Sequence, residues 1–269
     1  MVGGTRAFGV GKPTPAVTGL LVLCGAVFVL EVISFNFLKQ TKLIEYLALT
    51  PQLVVSRFRL WQPFTYVFVH DPQNFMHVAF NALMLWWFGV PIERELGKAR
   101  FIRLFLLASV VTAGAVILVG GALAWVNLDV PGLSRAHWAG PTLGMSGVAL
   151  AFFTAWALKN RDQVILFMFV VPMKAMTMLW ASLGIEVLLI LTLQAQAWPA
   201  HLAGMAFGAV WATWPRWALR ERFQLWRLKR GTSARRHLAL VRRPGGGDGG
   251  EDDDESDSGA ARNDRRTLN

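Results

Sequence analysis

LFLLASVVTAGAVILVGGALAWVNL, residues 104–128, contains no Asp, Glu, Lys, Arg or His. A helix of about 20 apolar residues crosses the roughly 30 Å hydrocarbon core of a bilayer, and this stretch is long enough to do so. Working outward, apolar runs of similar kind cover 15–38 (interrupted by Glu31), 75–92, 143–158, 175–193 (with Glu186 inside) and 199–214. Helices are the expected form, because an open strand in lipid leaves backbone N–H and C=O groups unpaired. The alternation of a membrane barrel is absent. The expectation is an all-α membrane protein, a six-transmembrane-helix bundle with a cytoplasmic C-terminal tail.

Composition agrees. The chain has 269 residues, 54% hydrophobic and 16% charged, with 12 Trp and 18 Phe, whereas a soluble domain carries about a quarter charged residues. One cysteine, Cys24, excludes a disulfide scaffold and a thiolate metal cluster. The net charge of +10 raises the question of nucleic acid, but its distribution answers it. Ten Lys or Arg lie between Arg216 and Arg243, and others at Arg94, Lys98, Arg100, Arg103, Lys159 and Arg161 follow spans two and four. The positive-inside rule then puts both termini in the cytoplasm. Lys39, Lys42, Arg57 and Arg59 in the first external loop oppose this, and the tail outweighs them. Trp125, Trp198, Trp214 and Trp217 fall near span ends, as an aromatic belt does. No small-residue cleavage site follows the first span, so it reads as an uncleaved span and not a signal peptide. No internal repeat of the transporter kind is seen.

The expected organisation is a cytoplasmic N-terminus (1–14), a membrane domain (15–215), a basic amphipathic segment suited to an anionic lipid surface (216–244), and a Gly-rich then acidic disordered tail (245–269). The lipid bilayer is therefore the expected partner. No nucleic-acid partner is expected, since no binding fold accompanies the basic residues.

Polar side chains at membrane depth are costly and mark function by default. His77 and Asn81 stand in span two, Ser146 opens span four and His201 opens span six. With the assigned topology, all four lie toward the outer ends of helices that enter from one side. Ser146 sits between Gly144 and Gly147, at a helix start where free N–H groups favour developing negative charge. A hydroxyl needs a base to become a nucleophile, and His201 can supply it. Gly204 and Gly208, facing Gly147, Ala151 and Ala155, would let spans four and six pack closely enough to bring the pair together. His77 and Asn81, four apart on one face, could stabilise an oxyanion with the Ser146 N–H. No carboxylate is evident to orient His201, so the expectation is a Ser-His dyad positioned by packing. Each element also has a structural reading: glycine-flanked packing, an interfacial histidine, an interhelical hydrogen bond. Glu31 and Glu186 serve either helix packing or a water-filled recess.

At these residues the chain resembles the rhomboid intramembrane serine proteases. The likeness runs from about Trp61 to Trp214 and includes His77-Val78-Ala79-Phe80-Asn81, Gly144-Met145-Ser146-Gly147, His201-Leu202-Ala203-Gly204 and the turn Glu93–Phe101. It implies Ser146 as nucleophile, His201 as base, and His77 and Asn81 at the oxyanion site. It further implies transmembrane protein substrates cut near the outer membrane face, no cofactor, no metal, and a home in a bacterial inner membrane. Two departures are visible. Trp61-Gln62 stands where the family often has Trp-Arg, and Ala203 replaces one glycine of a His-Leu-Gly-Gly motif. Neither removes a catalytic group.

Other protease classes fail on content. Asp71, Asp129 and Asp162 all lie in loops, so paired intramembrane aspartates are lacking; no His-Glu-x-x-His occurs; and Lys174 lies at the cytoplasmic end of span five, away from Ser146. The remaining alternative is non-enzymatic: a rhomboid-like protein that binds or escorts transmembrane clients. Sequence says nothing of oligomeric state or natural substrate.

Overall fold

The computed structural model describes residues 11–126, 136–167, 171–192 and 197–214. The basic and acidic segments expected over 216–269, and most of the N-terminus expected over 1–14, lie outside the described residues.

The chain opens with α1 (Pro15–Val32), carried on by a π-helical turn, Ile33–Phe37. Pro15 suits a helix start, where its missing N–H is no loss. Two of the free N–H groups of this first turn, those of Ala16 and Val17, each donate to the Glu93 carboxylate at 2.9 Å, and the Thr14 hydroxyl donates to it as well. A carboxylate 77 residues away thus caps the first span, and Glu93 is buried because it has those donors.

Three short helices follow, α2 (Lys42–Leu47), α3 (Pro51–Arg57) and α4 (Gln62–Thr65). The next span is built from α5 (Phe75–Met84), a π-helical turn over Leu85–Gly89, and α6 (Val90–Leu96). Pro91 cannot donate to the carbonyl one turn back, which accounts for the widened turn just before it. Gly97, at φ +78°, turns the chain into α7 (Lys98–Trp125), the longest helix described. After α8 (Ala136–Ala139) come α9 (Ser146–Lys159), α10 (Ala175–Leu191) and α11 (Trp198–Thr213).

Each of the six expected apolar runs therefore coincides with a helix. Three of them, Pro15–Phe37, Phe75–Leu96 and Lys98–Trp125, are long and apolar enough to cross a membrane, while Ser146–Lys159 and Ala175–Leu191 are shorter apolar helices. The all-helical expectation needs one correction. Between α9 and α10 the strands β1 (Val164–Phe167) and β2 (Val171–Lys174) form an antiparallel hairpin, with Val164 opposite Lys174 and Ile165 opposite Met173. A β-branched and aromatic run too short for a span pairs locally instead, and Pro172 is tolerated because a two-stranded ribbon has only edges.

Large apolar side chains such as Val22, Leu30, Leu107, Leu118, Leu188 and Leu191 are exposed, as expected of helices whose solvent is lipid. The core gathers around α9, ten of whose residues are buried. Phe88 stacks at 4.8 Å from Phe153 and 5.4 Å from Trp156, and Phe101 lies 5.3 Å from Phe152. The opposite end of α9 is tied by Lys159, which pairs with Glu95 at 2.6 Å and lies 4.4 Å over the Trp211 ring.

Helices α9 and α11 meet backbone to backbone. A Cβ on Gly204 would stand 2.0 Å from the Gly147 carbonyl oxygen, and one on Gly208 would stand 2.1 Å from that of Ala151. Both clashes are with main chain, so no side-chain rotation relieves them. Gly208→Val should therefore destabilise the protein by at least about 3 kcal/mol, the upper part of the overpacking range, measured by unfolding in mixed detergent micelles. Unchanged stability would contradict this packing.

Candidate active site

Ser146 is the first residue of α9, and His201 is the fourth of α11. The contact between the two helices sets the distance between them: Ser146 Oγ lies 2.6 Å from His201 Nε2, well inside hydrogen-bond range. Both are partly exposed, so a substrate atom and water can reach them.

The backbone before Ser146 is shaped by the first loop. Leu49 and Thr142 exchange two main-chain hydrogen bonds of 2.9 and 2.8 Å, and the Gly144 N–H donates to the Tyr66 carbonyl at 3.0 Å. Tyr66 is itself anchored in the core, its hydroxyl 2.6 Å from Thr112 Oγ1. Gly144 has φ +100°, and a Cβ there would lie 3.0 Å from His77 Nε2 and 3.7 Å from Asn81 Nδ2. Glycine is thus required twice over, by conformation and by space. The same distances place the polar tips of His77 and Asn81 against the segment leading into Ser146. Asn81 Nδ2 donates to the His77 carbonyl at 2.9 Å; an amide nitrogen carries two hydrogens, so one remains. All four expected residues converge on one end of the bundle.

One expectation is corrected. Packing alone was expected to orient His201, yet Glu186 of α10 puts Oε1 2.7 Å from His201 Nδ1. Depth explains the miss. Glu186 reads as mid-span from the start of α10, but it is only five residues from the helix end at Leu191, while His201 is three from the start of α11 at Trp198. Across a short connection those offsets bring the two to one level. Counting from the outer end is the signal that was available.

Glu31 has a structural role: fully buried, its carboxylate accepts the His70 backbone N–H at 3.1 and 3.3 Å. This fastens the loop before α5 to the first span. His70 escaped the sequence reading altogether. It is buried, its Nδ1 lies 3.2 Å from the Phe68 carbonyl oxygen and 3.8 Å from Cys24 Sγ, and its ring meets that of His77 edge-on at 5.1 Å. It therefore backs one of the oxyanion candidates. Among the described residues, no group of three or more His, Cys, Asp or Glu could hold a metal ion.

Burial pushes the His70 imidazole down to about 4, because a charged ring would lose its hydration there. As pH falls below about 6.5, the unfolded chain binds a proton that the folded chain refuses. The stability tied to neutral His70 is intact above that pH and is lost as pH falls toward about 4. Between pH 7 and 5 the wild type should lose about 2 kcal/mol more than His70→Leu, read from unfolding at the two pH values. Parallel losses in the two proteins would refute the assignment.

A family model described as "Rhomboid domain" matches residues 57–217. Curated relatives named "Rhomboid protease GlpG" include that of Serratia proteamaculans, 26% identical over 204 residues, covering 76% of this chain and 63% of the relative. That of Pectobacterium atrosepticum is 24% identical over the same length and coverage, and that of Salmonella choleraesuis is 31% identical over 110 residues, 40% of this chain and 32% of its own. The chain thus spans less than two thirds of the length of these relatives.

Proposed function

Given that the chain belongs to the rhomboid family and is an integral membrane protein, we propose that it is an intramembrane serine endopeptidase that cleaves transmembrane protein substrates near the outer membrane face. The 2.6 Å contact between Ser146 Oγ and His201 Nε2 carries the reading. His201 Nε2 takes the hydroxyl proton as Oγ attacks the scissile carbonyl carbon. The carbonyl oxygen becomes an oxyanion, received by the Ser146 N–H at the start of α9, the His77 imidazole and the free Asn81 amide hydrogen. His201 then passes its proton to the leaving nitrogen as the C–N bond breaks. Water, activated by the same imidazole, hydrolyses the acyl-enzyme in the reverse sense.

Six crossings with both termini cytoplasmic fit this role, in a bacterial inner membrane. The length of α9 supports a cut below the surface. Its 14 residues span about 21 Å, less than the roughly 30 Å apolar core. If Lys159 marks the inner polar boundary, Ser146 would stand roughly 9 Å inside the outer one. A substrate helix hides its peptide carbonyls in its own hydrogen bonds, so substrates with small or helix-breaking residues near the cut are favoured.

Purified protein in proteoliposomes should cleave a single-span substrate and react with a fluorophosphonate at Ser146. Ser146→Ala should abolish both, and His201→Ala should lower cleavage by at least about 10³-fold. Asn81→Ala should cost about 10- to 10³-fold in kcat. Cleavage by Ser146→Ala equal to wild type would defeat the chemistry. Substrate capture without cleavage by the wild type would favour a binder of transmembrane clients.

A further inference from the structure

Resting on the serine-protease reading above, we propose that Glu186 is a positioning residue for the catalytic base, so that the site works as a Ser146–His201–Glu186 relay and not as a dyad. The two nitrogens of one imidazole are both engaged: Nε2 lies 2.6 Å from Ser146 Oγ, and Nδ1 lies 2.7 Å from Glu186 Oε1. An ionised carboxylate can only accept a hydrogen bond. Nδ1 must then carry the ring proton, and Nε2 is left with its lone pair toward the serine hydroxyl, the tautomer that a general base requires. When Nε2 takes the Ser146 proton, the imidazolium sits between the leaving group and a fixed negative charge. The carboxylate stabilises that state without itself being protonated.

The position of Glu186 in α10 argues against a solely packing role. Along the outer half of this helix Ile185, Val187, Leu188 and Leu191 are 45–74% exposed, whereas Glu186 is buried at 9%. A leucine there would seal the same contact without desolvating a charge. A buried carboxylate left unpaired is strongly unfavourable, and His201 Nδ1 is the group that meets it. The contact also joins α10 to α11, so fastening and orientation have to be separated by experiment.

Glu186→Gln separates them. The amide keeps the size and can still accept from Nδ1–H, so a fastening role predicts little change. The positioning role predicts a large loss, because the negative charge is gone and the amide N–H can turn toward Nδ1 and favour the wrong tautomer. We expect kcat on a single-span substrate in proteoliposomes to fall by about 10²- to 10⁴-fold, with KM within about twofold and the thermal midpoint little changed. Fluorophosphonate labelling of Ser146 should slow in parallel, and Glu186→Asp, which keeps the charge, should recover part of the rate. A Glu186→Gln enzyme within threefold of wild type in kcat overturns the proposal. So does a loss that follows a fall in thermal midpoint and is no smaller in Glu186→Asp. Ser146→Ala run alongside distinguishes the two readings. If it is inert while Glu186→Gln is fully active, only the relay falls; if it remains active, the serine chemistry and the relay fall together.

Discussion

The backbone contact between α9 and α11 is the constraint on which the rest depends. Gly204 lies against the Gly147 carbonyl and Gly208 against that of Ala151, so the helix axes approach as closely as main chain allows. In lipid no hydrophobic effect drives two apolar helices together, and close van der Waals packing has to supply the attraction. The same approach sets the Ser146–His201 distance at the ends of these helices. Stability and chemistry thus share one interface, and any side chain added to it disturbs both.

Buried carboxylates make up the second layer of organisation. Glu93 takes two N–H groups and a hydroxyl from the start of α1, Glu31 takes the His70 N–H, and Glu186 takes His201 Nδ1. Each carboxyl group is held by donors that also have to be satisfied in a medium without water. The first two join segments far apart in sequence, and the third joins two consecutive helices. Glu93 fixes the start of the first span to the last helical segment of the second, and Glu31 fixes its far end to the loop that precedes His77. Polar contacts here add to the glycine interface in specifying which helix lies beside which.

Much of this was legible in the residues. The six helices followed from hydropathy, and the Gly204 and Gly208 spacing anticipated the tight interface with span four. Ser146, His201, His77 and Asn81 were visible because polar groups are scarce at membrane depth. What escaped had to do with depth and partnership. Glu186 was noted, but its level relative to His201 depends on where α10 ends and α11 begins, which hydropathy locates only to within a few residues. His70 looked like an ordinary loop residue, since nothing local says that Glu31 will draw its backbone into the bundle. The paired strands Val164–Phe167 and Val171–Lys174 were missed because an apolar run of that length is ambiguous between strand and buried helix.

Gln62 illustrates how a departure from the family pattern is absorbed. Where relatives often carry an arginine, this fully buried amide accepts the Thr50 N–H at 3.0 Å through Oε1 and reaches the Glu45 and Tyr46 carbonyls at 3.4 Å through Nε2. A guanidinium has five donors and no acceptor, so it could not receive that N–H. Gln62 thus joins the Thr50 N–H to the Glu45 and Tyr46 carbonyls within the loop. Thr50 follows Leu49, whose main chain pairs with Thr142, and Thr142 stands two residues before Gly144. Trp61 adds its indole N–H to the Tyr46 carbonyl at 2.8 Å and its ring face to Tyr46 at 4.9 Å. The loop is thereby held by these hydrogen bonds, by one from the Arg59 guanidinium to the Glu45 carbonyl at 3.0 Å and by one aromatic contact, with Phe58 and Leu60 exposed. A buried guanidinium would have to be desolvated there at a cost of several kcal/mol. An amide that both gives and accepts supports the Gly144 segment, and hence the approach to Ser146, without that cost.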